Sequence, residues 1–164
     1  MTLREYKPQD SKIICSWIKD QKSLFQWSAD RIGIFPLKGD ELNKSYAECN
    51  PNFFIPLTAL DDSGNVVGHL FIRYPNPKDK STVRFGFVII SPDLRGKGNG
   101  RKMLEHALAY AKNKLGAQKV TLGVFENNPS ARRCYDSLGF VPTSVSTMNI
   151  LGEEWNCVEM ELNS

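Results

Sequence analysis

The distribution of apolar and polar positions predicts a chain that alternates between strands and helices. Short apolar runs bounded by turn residues predict strands over residues 3–6, 53–60, 66–73, 83–90, 120–125, 140–148 and 155–162. The sequence DDSGN at 61–65 predicts a hairpin turn. A second turn over 151–154 makes the last two strands antiparallel partners. Gly86, in the middle of the fourth run, indicates a bulge or a close approach to the backbone.

Four helices are predicted between these strands, which gives a mixed α/β order. The first carries one apolar face, formed by Ile13, Ile14, Trp17 and Ile18. Asp10 or Ser11 can cap this helix. The other three cover residues 38–47, about 100–115 and 129–138. Gly116 stops the third helix, and Asn127 or Asn128 caps the fourth. No element is predicted in the aromatic-rich stretch 24–37.

Size and charge narrow the function classes. The 164 residues suffice for a sizeable core, and we expect a single domain over residues 1–164. A hydrophobic content of 41% and a charged content of 24% are ordinary for a globular protein. The net charge of +3 is too weakly basic to indicate a nucleic-acid partner. It suits an anionic small molecule.

The sequence carries no targeting or metal signal. No apolar run approaches the roughly 20 residues of a membrane span, and the start MTLREYKPQD has no apolar signal region. We therefore expect a cytoplasmic protein with no membrane partner. The cysteines are widely spaced without a CxxC pair, which is typical of free thiols: Cys15, Cys49, Cys134 and Cys157. Only two histidines are present, so no metal site is expected.

The segment SPDLRGKGNGRKM, residues 91–103, combines glycines with positive charge directly before a predicted helix. A strand, a glycine-rich turn and a helix N-terminus form an anion site, because free N–H groups and the helix dipole face the ligand. Glycines let the backbone approach phosphate oxygens. Flanking cations add charge-assisted hydrogen bonds. This arrangement favours a phosphate ligand over a solvated surface loop.

The spacing of the glycines decides which of the known phosphate-binding motifs this segment matches. The P-loop pattern fails because Arg101 stands five residues after Gly96, and the dinucleotide pattern GxGxxG fails at the same arginine. The pattern that fits is R-x-x-G-x-G, at Arg95, Gly98 and Gly100. A second segment, NPSARRCY at 128–135 followed by LGF at 138–140, fits N-x-x-A-x-x-x-Y and L-G-F. Over about residues 83–141 the chain resembles the GCN5-related N-acetyltransferase (GNAT) family.

The resemblance implies a fold and a cofactor site. The fold would be α/β (α+β), with a mixed, mainly antiparallel sheet splayed between strands 4 and 5 and flanked by helices. The pantetheine arm of acetyl-CoA would enter the gap and pair with the backbone of Val88, Ile89 and Ile90. Arg95 and the loop residues Gly96, Lys97, Gly98, Asn99, Gly100 and Arg101 would hold the pyrophosphate. Asn128 would contact the cofactor, with a role as a helix cap alone as the alternative.

The resemblance also implies a general acid. Tyr135 would protonate the departing CoA thiolate, with core packing as the alternative role. Cys134 is expected to be a buried thiol that points elsewhere on the helix. Some members of the family place a glutamate base on the fifth strand, five residues before the asparagine. That position is Gly123 here, so this chain departs from the pattern. Glu126, His69 or a water relay could replace it, and the base stays unassigned.

The acceptor pocket would lie between residues 24–46 and 147–155, regions that vary in the family. Its candidate lining is Phe25, Trp27, Phe35, Glu153, Glu154 and Trp155. An acidic pair beside aromatic rings suits a cationic amine. Packing aromatics and a solvated turn are equally good interpretations of these residues.

Two functions follow from the sequence as hypotheses. The first is direct transfer of acetyl from acetyl-CoA to a primary amine, either a small molecule or a protein N-terminus. The second is a catalytically silent acetyl-CoA-binding or sensor module, which the missing glutamate keeps open. A nucleic-acid-binding role has only the basic loop in its favour. No feature of the sequence specifies the oligomeric state, and a homodimer is one expectation.

Overall fold

A computed structural model describes residues 1–163, and Ser164, the last residue of the expected domain, lies outside them. The described strands are β1 (Thr2–Glu5), β2 (Phe54–Leu60), β3 (Val66–Arg73), β4 (Thr82–Ile90), β5 (Lys119–Phe125), β6 (Val141–Ile150) and β7 (Glu153–Asn163). The helices are α1 (Asp10–Ser16), α2 (Gln21–Ser28), α3 (Gly39–Ala47), α4 (Asn99–Leu115) and α5 (Pro129–Ser137). The seven predicted strands and four predicted helices are confirmed to within a few residues.

The strands form one sheet in the order β1-β2-β3-β4-β5-β7-β6. Every neighbouring pair is antiparallel except β4 and β5, which run parallel. The β4–β5 ladder covers only Thr82–Arg84 against Lys119–Thr121. Residues 85–90 and 122–125 continue without pairing to each other. The expected mixed sheet that opens between its fourth and fifth strands is therefore confirmed.

Helices cover both faces of the sheet. On one face, α4 buries Met103 and Leu104 against a core that includes Phe85 and Leu122. On the other face, α1, α2 and α3 pack over Phe71 and β4, burying the residues Ile14, Leu24 and Leu42. The opening between β4 and β5 thus connects two sides of the sheet that are each covered by helices. Within residues 1–163, no helix has the length and apolar content to span a membrane.

Gly86 marks the irregularity that the sequence predicted. The β3–β4 register shifts beside it, and the ring of Phe71 lies over its backbone so closely that a Cβ would overlap the ring. The next residue, Phe87, has a positive φ of 51°. These features end the regular pleat of β4 just where the strand leaves β5.

Two predictions about the first hundred residues were wrong. Neither Asp10 nor Ser11 caps α1, because the cap position is Gln9 and it makes no side-chain cap. Asp10 instead accepts two hydrogen bonds from the Arg4 guanidinium and one from Thr58 Oγ1. In addition, helix α2 was not predicted. Its start has a good signal, since the Asp20 carboxylate accepts a 2.7 Å hydrogen bond from the Ser23 N–H.

Candidate active site

A cavity of about 530 Å³ runs from the glycine loop, through the opening in the sheet, to helix α2 on the opposite face. It brings together ten of the sequence-predicted site residues: Val88, Ile89, Ile90, Arg95, Gly96, Gly98, Gly100, Arg101, Asn128 and Tyr135. Two others, Lys97 and Asn99, do not line it. Their side chains donate to the carbonyls of Asp93 and Leu94 at 2.9 and 3.0 Å and so close the loop on itself.

The edge of β4 that faces the cavity carries main-chain groups with no strand beside them. Ile89 and the following Ile90 pair on their other side with His69 and Gly68 of β3. Toward β5, residues 85–90 have left the ladder. An extended chain of amides could therefore pair with this edge as an added strand. The main-chain role predicted for Val88, Ile89 and Ile90 has the geometry it requires.

The glycine loop presents open backbone at the N-terminus of α4. Gly96 and Gly98 have φ values of +70° and +77°, and a Cβ built on either would meet nothing within 4 Å. Gly98 is the cap residue, and its carbonyl accepts from the Lys102 N–H. The N–H groups of residues 99–101 have no acceptor within the helix. The loop thus offers free donors and room beside them.

Three arginines line the cavity around this loop. Arg95 Nε donates to the Ile90 carbonyl at 3.0 Å, which ties the loop to the end of β4. Arg101 joins α4 to α5 by donating to the Ser137 carbonyl at 3.0 Å, and it pairs with Glu105. Arg133 on α5 is the third, and sequence reasoning missed it. Free helix N–H groups, glycines and arginines are the donor set that a pyrophosphate requires.

Tyr135 is buried in the wall of the cavity, and its ring packs edge-on against Phe140 with centroids 6.0 Å apart. Among residues 1–163, no group hydrogen-bonds its hydroxyl. Burial raises the pKa of Tyr135, so the phenol stays protonated around neutral pH. Asn128 caps α5 by accepting a 3.3 Å hydrogen bond from the Ala131 N–H and also lines the cavity. The cap is therefore present, and the contact of Asn128 with the cofactor stays a prediction.

Comparisons with known proteins place this architecture in a family. A profile described as "Acetyltransferase (GNAT) family" matches residues 14–140. A spermidine N(1)-acetyltransferase of Vibrio cholerae serotype O1 is 39% identical over 142 residues, which is 86% of this chain and 79% of that protein. The chain belongs to the GNAT acetyltransferase family. The predicted membership is therefore confirmed.

Other comparisons agree with this GNAT assignment over shorter matches or at lower sequence identity. A UPF0039 protein of Schizosaccharomyces pombe is 34% identical over 91 residues. With this and several further relatives, the chain spans only 51–59% of the relative's length. A solved structure of spermidine N-acetyltransferase from Vibrio cholerae with CoA and spermine has a TM-score of 0.81 and 24% identity, and covers 99% of this chain and 94% of that chain. At that identity the likeness shows the GNAT fold.

Cys134 corrects one expectation about the GNAT site. It does not point elsewhere on the helix but lines the cavity, because Ala131, Cys134 and Tyr135 share one face of α5 at helical spacing. Its sulfur would lie 3.8 Å from a Cβ placed on Gly100. Burial raises the pKa of the Cys134 thiol, which keeps it protonated and weakly nucleophilic.

Neither side chain considered as a general base reaches the cavity. Glu126 is exposed, and its carboxylate accepts a 3.0 Å hydrogen bond from Asn156 Nδ2. His69 is fully buried, and its Nε2 shares a 2.6 Å hydrogen bond with the Tyr46 hydroxyl. Burial lowers the pKa of His69 to about 3. In residues 1–163 there is also no group of three or more histidine, cysteine, aspartate or glutamate side chains that could hold a metal ion.

The buried His69 predicts an acid-sensitive fold. The unfolded chain binds a proton at this histidine below pH 6.5, whereas the folded chain does not until about pH 3. Because the unfolded state then holds more protons, stability falls as pH falls through this window. We expect the free energy of unfolding to drop by about 2 kcal/mol from pH 7 to pH 5 through this residue.

Denaturant unfolding of His69→Gln at the two pH values measures this contribution. The variant is expected to lose most of the pH dependence, whatever its absolute stability. His106→Gln, at an exposed histidine, is the matched control and should keep the wild-type dependence. An unchanged pH dependence in His69→Gln would show that this histidine titrates alike in both states.

Gly123 occupies the β5 position where the family pattern has its glutamate, and it lines the cavity. Glu159 lies opposite it on β7. The Glu159 carboxylate is held by two hydrogen bonds of 2.6 and 3.0 Å from Arg84. A Cβ on Gly123 would lie 2.8 Å from Arg84 Nη2, so the ion pair covers the space that a side chain would take. This cross-strand neighbour could not be read from the sequence.

Of the predicted acceptor residues, only Trp27 lines the cavity, with Trp17, Ser23 and Gln26 beside it. Phe25 and Trp155 pack against each other in a small separate core. The acidic residues of the last hairpin, Glu153 and Glu154, are exposed and outside the lining. The expected cation-binding acidic pair is therefore not part of this cavity.

Proposed function

We propose that this chain, acting as one domain over residues 1–164, transfers an acetyl group from acetyl-CoA to a primary amine. One observation carries the proposal: a single cavity joins an open strand edge, a glycine cradle at a helix N-terminus and the hydroxyl-bearing side chain of Tyr135. The names of relatives agree, since they include spermidine and peptidyl-lysine N-acetyltransferases.

The residues present fit acetyl-CoA, whose thioester would supply the activated acetyl group. Val88, Ile89 and Ile90 would pair through their main chain with the amides of the pantetheine arm. The cradle over residues 96–101, with Arg95 beside it, would hold the pyrophosphate by N–H donors and charge. Asn128 would fix the start of α5 against the cofactor. These contacts hold the acetyl end at the opening of the sheet.

The transfer needs two proton losses at the nitrogen and one proton gain at the sulfur. The amine nitrogen must be neutral before it forms the new bond to the acetyl carbon. As the bond from that carbon to sulfur breaks, the sulfur takes a proton, and the Tyr135 hydroxyl is the donor we assign to it. The products are the acetylated amine and CoA thiol. The nitrogen releases its second proton to solvent as the amide forms, and Tyr135 regains a proton from solvent, so that atoms and charge balance.

Direct transfer predicts that Cys134 is dispensable. A route through an acetylated cysteine would need a thiolate, which burial of Cys134 disfavours. Cys134→Ala should therefore keep turnover within about threefold of wild type, since only a small side chain is lost. Initial rates measured against both substrates should give intersecting double-reciprocal lines. Parallel lines, together with loss of turnover in Cys134→Ala, would indicate a covalent intermediate instead.

Amine-dependent release of CoA thiol tests the proposal against the silent-module alternative. Acetyl-CoA binding is measured by calorimetry, and thiol release is followed with a panel of small amines and peptides. The proposal expects binding and acceleration by at least one amine. Binding with no acceleration by any amine would favour an acetyl-CoA-binding or sensor module, which Gly123 in place of the family's glutamate makes a real alternative.

A further inference from the structure

The charges around the cavity are of one sign. Among the described residues that line it, the ionisable groups of fixed charge are Arg95, Arg101 and Arg133, with no aspartate or glutamate. The first two lie at the glycine loop, where a phosphate ligand is expected. A polyamine would therefore find no carboxylate in the lining to neutralise its ammonium groups.

Beside the cavity, outside its lining, the sheet carries further positive charge next to Gly123. Arg84 and Glu159 form an ion pair that covers Gly123. Arg73 lies directly opposite Arg84 in the β3–β4 ladder and so shares its face of the sheet. Burial lowers the pKa of Arg73, and the nearby charges of Arg84 and Arg31 lower it further, while Glu159 opposes them. Arg84 is paired with Glu159, whereas Arg73 lies near two other arginines and has the same carboxylate as its opposing charge.

In the part of the chain that the structure describes, the positive charge of Arg73 is not paired with a carboxylate. Within residues 1–163, the Arg73 guanidinium makes no hydrogen bond and no ion pair, although the residue is half-buried. Like charges placed opposite each other in a sheet are destabilising. An anionic ligand group would neutralise the pair and supply the missing acceptor atoms.

A second, independent observation points to a ligand acceptor atom on the same side. The indole Nε1 of Trp27 is buried without a hydrogen-bond partner, and Trp27 lines the cavity. An indole N–H can only donate, so it requires an oxygen or nitrogen acceptor. Around it, Trp17 and Phe87 give the cavity wall apolar surface. A carboxylate and an apolar body would satisfy both features.

We propose that the acceptor is a primary amine carrying a carboxylate and an apolar body, of the α-amino acid class, with the carboxylate seated toward Arg73 and Trp27. This inference rests on the proposed acetyl transfer and names its substrate class. It separates this chain from a polyamine acetyltransferase.

The same positive charges would help to deprotonate the amine without a glutamate base at position 123. A nearby positive charge disfavours the ammonium form of an amine and so lowers its pKa. Arg84, beside Gly123, and Arg73, opposite Arg84 on β3, would therefore favour the neutral, reactive amine. Water can then accept the proton, and no dedicated carboxylate is needed.

Matched acid and amide pairs test the inference with the full chain. Initial rates are measured for leucine against leucinamide and phenylalanine against phenylalaninamide, with spermidine as the polyamine. We expect kcat/KM to be at least about tenfold higher for each acid than for its amide, as for one charge-assisted hydrogen bond. Spermidine is expected to react more slowly than either acid.

Arg73→Gln supplies the site-specific readout. It should lower kcat/KM for leucine about tenfold or more and change the value for leucinamide by less than about threefold, because only the acid uses the guanidinium. Arg73→Lys, which keeps the charge, should restore part of the loss. Lys22→Gln, at an exposed cation of α2 outside the cavity, is the control and should alter neither rate.

The outcomes separate this inference from the proposed function. Equal or faster reaction of the amides or of spermidine would overturn the acceptor class and leave acetyl transfer intact. An equal effect of Arg73→Gln on acid and amide would overturn the carboxylate seat. No thiol release with any amine would overturn acetyl transfer itself, and with it this inference.

Discussion

Gly98→Asp is expected to abolish measurable acetyl-CoA binding, with a loss of affinity of roughly 100-fold or more. Position 98 caps α4 in the left-handed region and lines the cavity at the glycine loop. A carboxylate there would face the pyrophosphate, and two like charges about 4 Å apart near a protein surface repel by several kcal/mol. Nothing lies within 4 Å of a Cβ at this glycine, so the substitution causes no clash.

Two control variants separate charge from backbone strain. Gly64→Asp introduces the same residue at a β2–β3 turn glycine with φ +83° and nothing within 4 Å, away from the cavity. It should bind acetyl-CoA like the wild type. Gly98→Ala adds the strain without the charge and should bind far better than Gly98→Asp. Calorimetric titration measures all three. Wild-type affinity in Gly98→Asp would remove the loop from the cofactor site.

Tyr135→Phe is expected to lower kcat roughly 100-fold or more while changing acetyl-CoA affinity little, the range typical of a lost general acid. The ring keeps its packing against Phe140, and the hydroxyl has no hydrogen-bond partner in residues 1–163 to leave unpaired. Because burial raises the pKa of Tyr135, its hydroxyl should stay protonated below about pH 9. In that range, deprotonation of Tyr135 should not lower the wild-type rate.

Steady-state kinetics and calorimetry with Tyr135→Phe measure these two effects separately. Tyr110→Phe is the matched control, because Tyr110 lies on α4 beside Lys114 and outside the cavity. It should leave kcat unchanged. A wild-type kcat in Tyr135→Phe would assign Tyr135 to core packing alone.

Local chemistry explains why the geometry of the glycine loop and of the Asn128–Tyr135 helix could be predicted from the sequence. The positive φ values of Gly96 and Gly98 require glycine, and the helix that follows begins within one residue of its predicted start. Asn128 and Tyr135 are seven residues apart, so one short helix fixes both in relation to each other. Such features depend on near neighbours in the chain and leave a pattern in it.

The part of the cavity proposed for the acceptor depends on contacts between distant residues, and those leave no local pattern. Glu159 reaches Gly123 only because β7 inserts between β5 and β6 in a particular register. Helix α2 places Trp27 at the cavity from a stretch that lacks a clear apolar period, and its Asp20 cap was the one overlooked signal. Asp10 was assigned to a cap because its hydrogen bond from Thr58, 48 residues away in the chain, is a tertiary contact.

Product analysis with labelled acetyl-CoA tests the central claim most directly. The full chain is incubated with acetyl-CoA carrying a deuterated acetyl group and a mixture of acid, amide and polyamine acceptors, and the products are identified by mass spectrometry. We predict one labelled amide and one CoA thiol for each acetyl-CoA consumed, with neither formed by Gly98→Asp. Tight binding of acetyl-CoA without any labelled amide, or equal labelling by Gly98→Asp, would contradict the account.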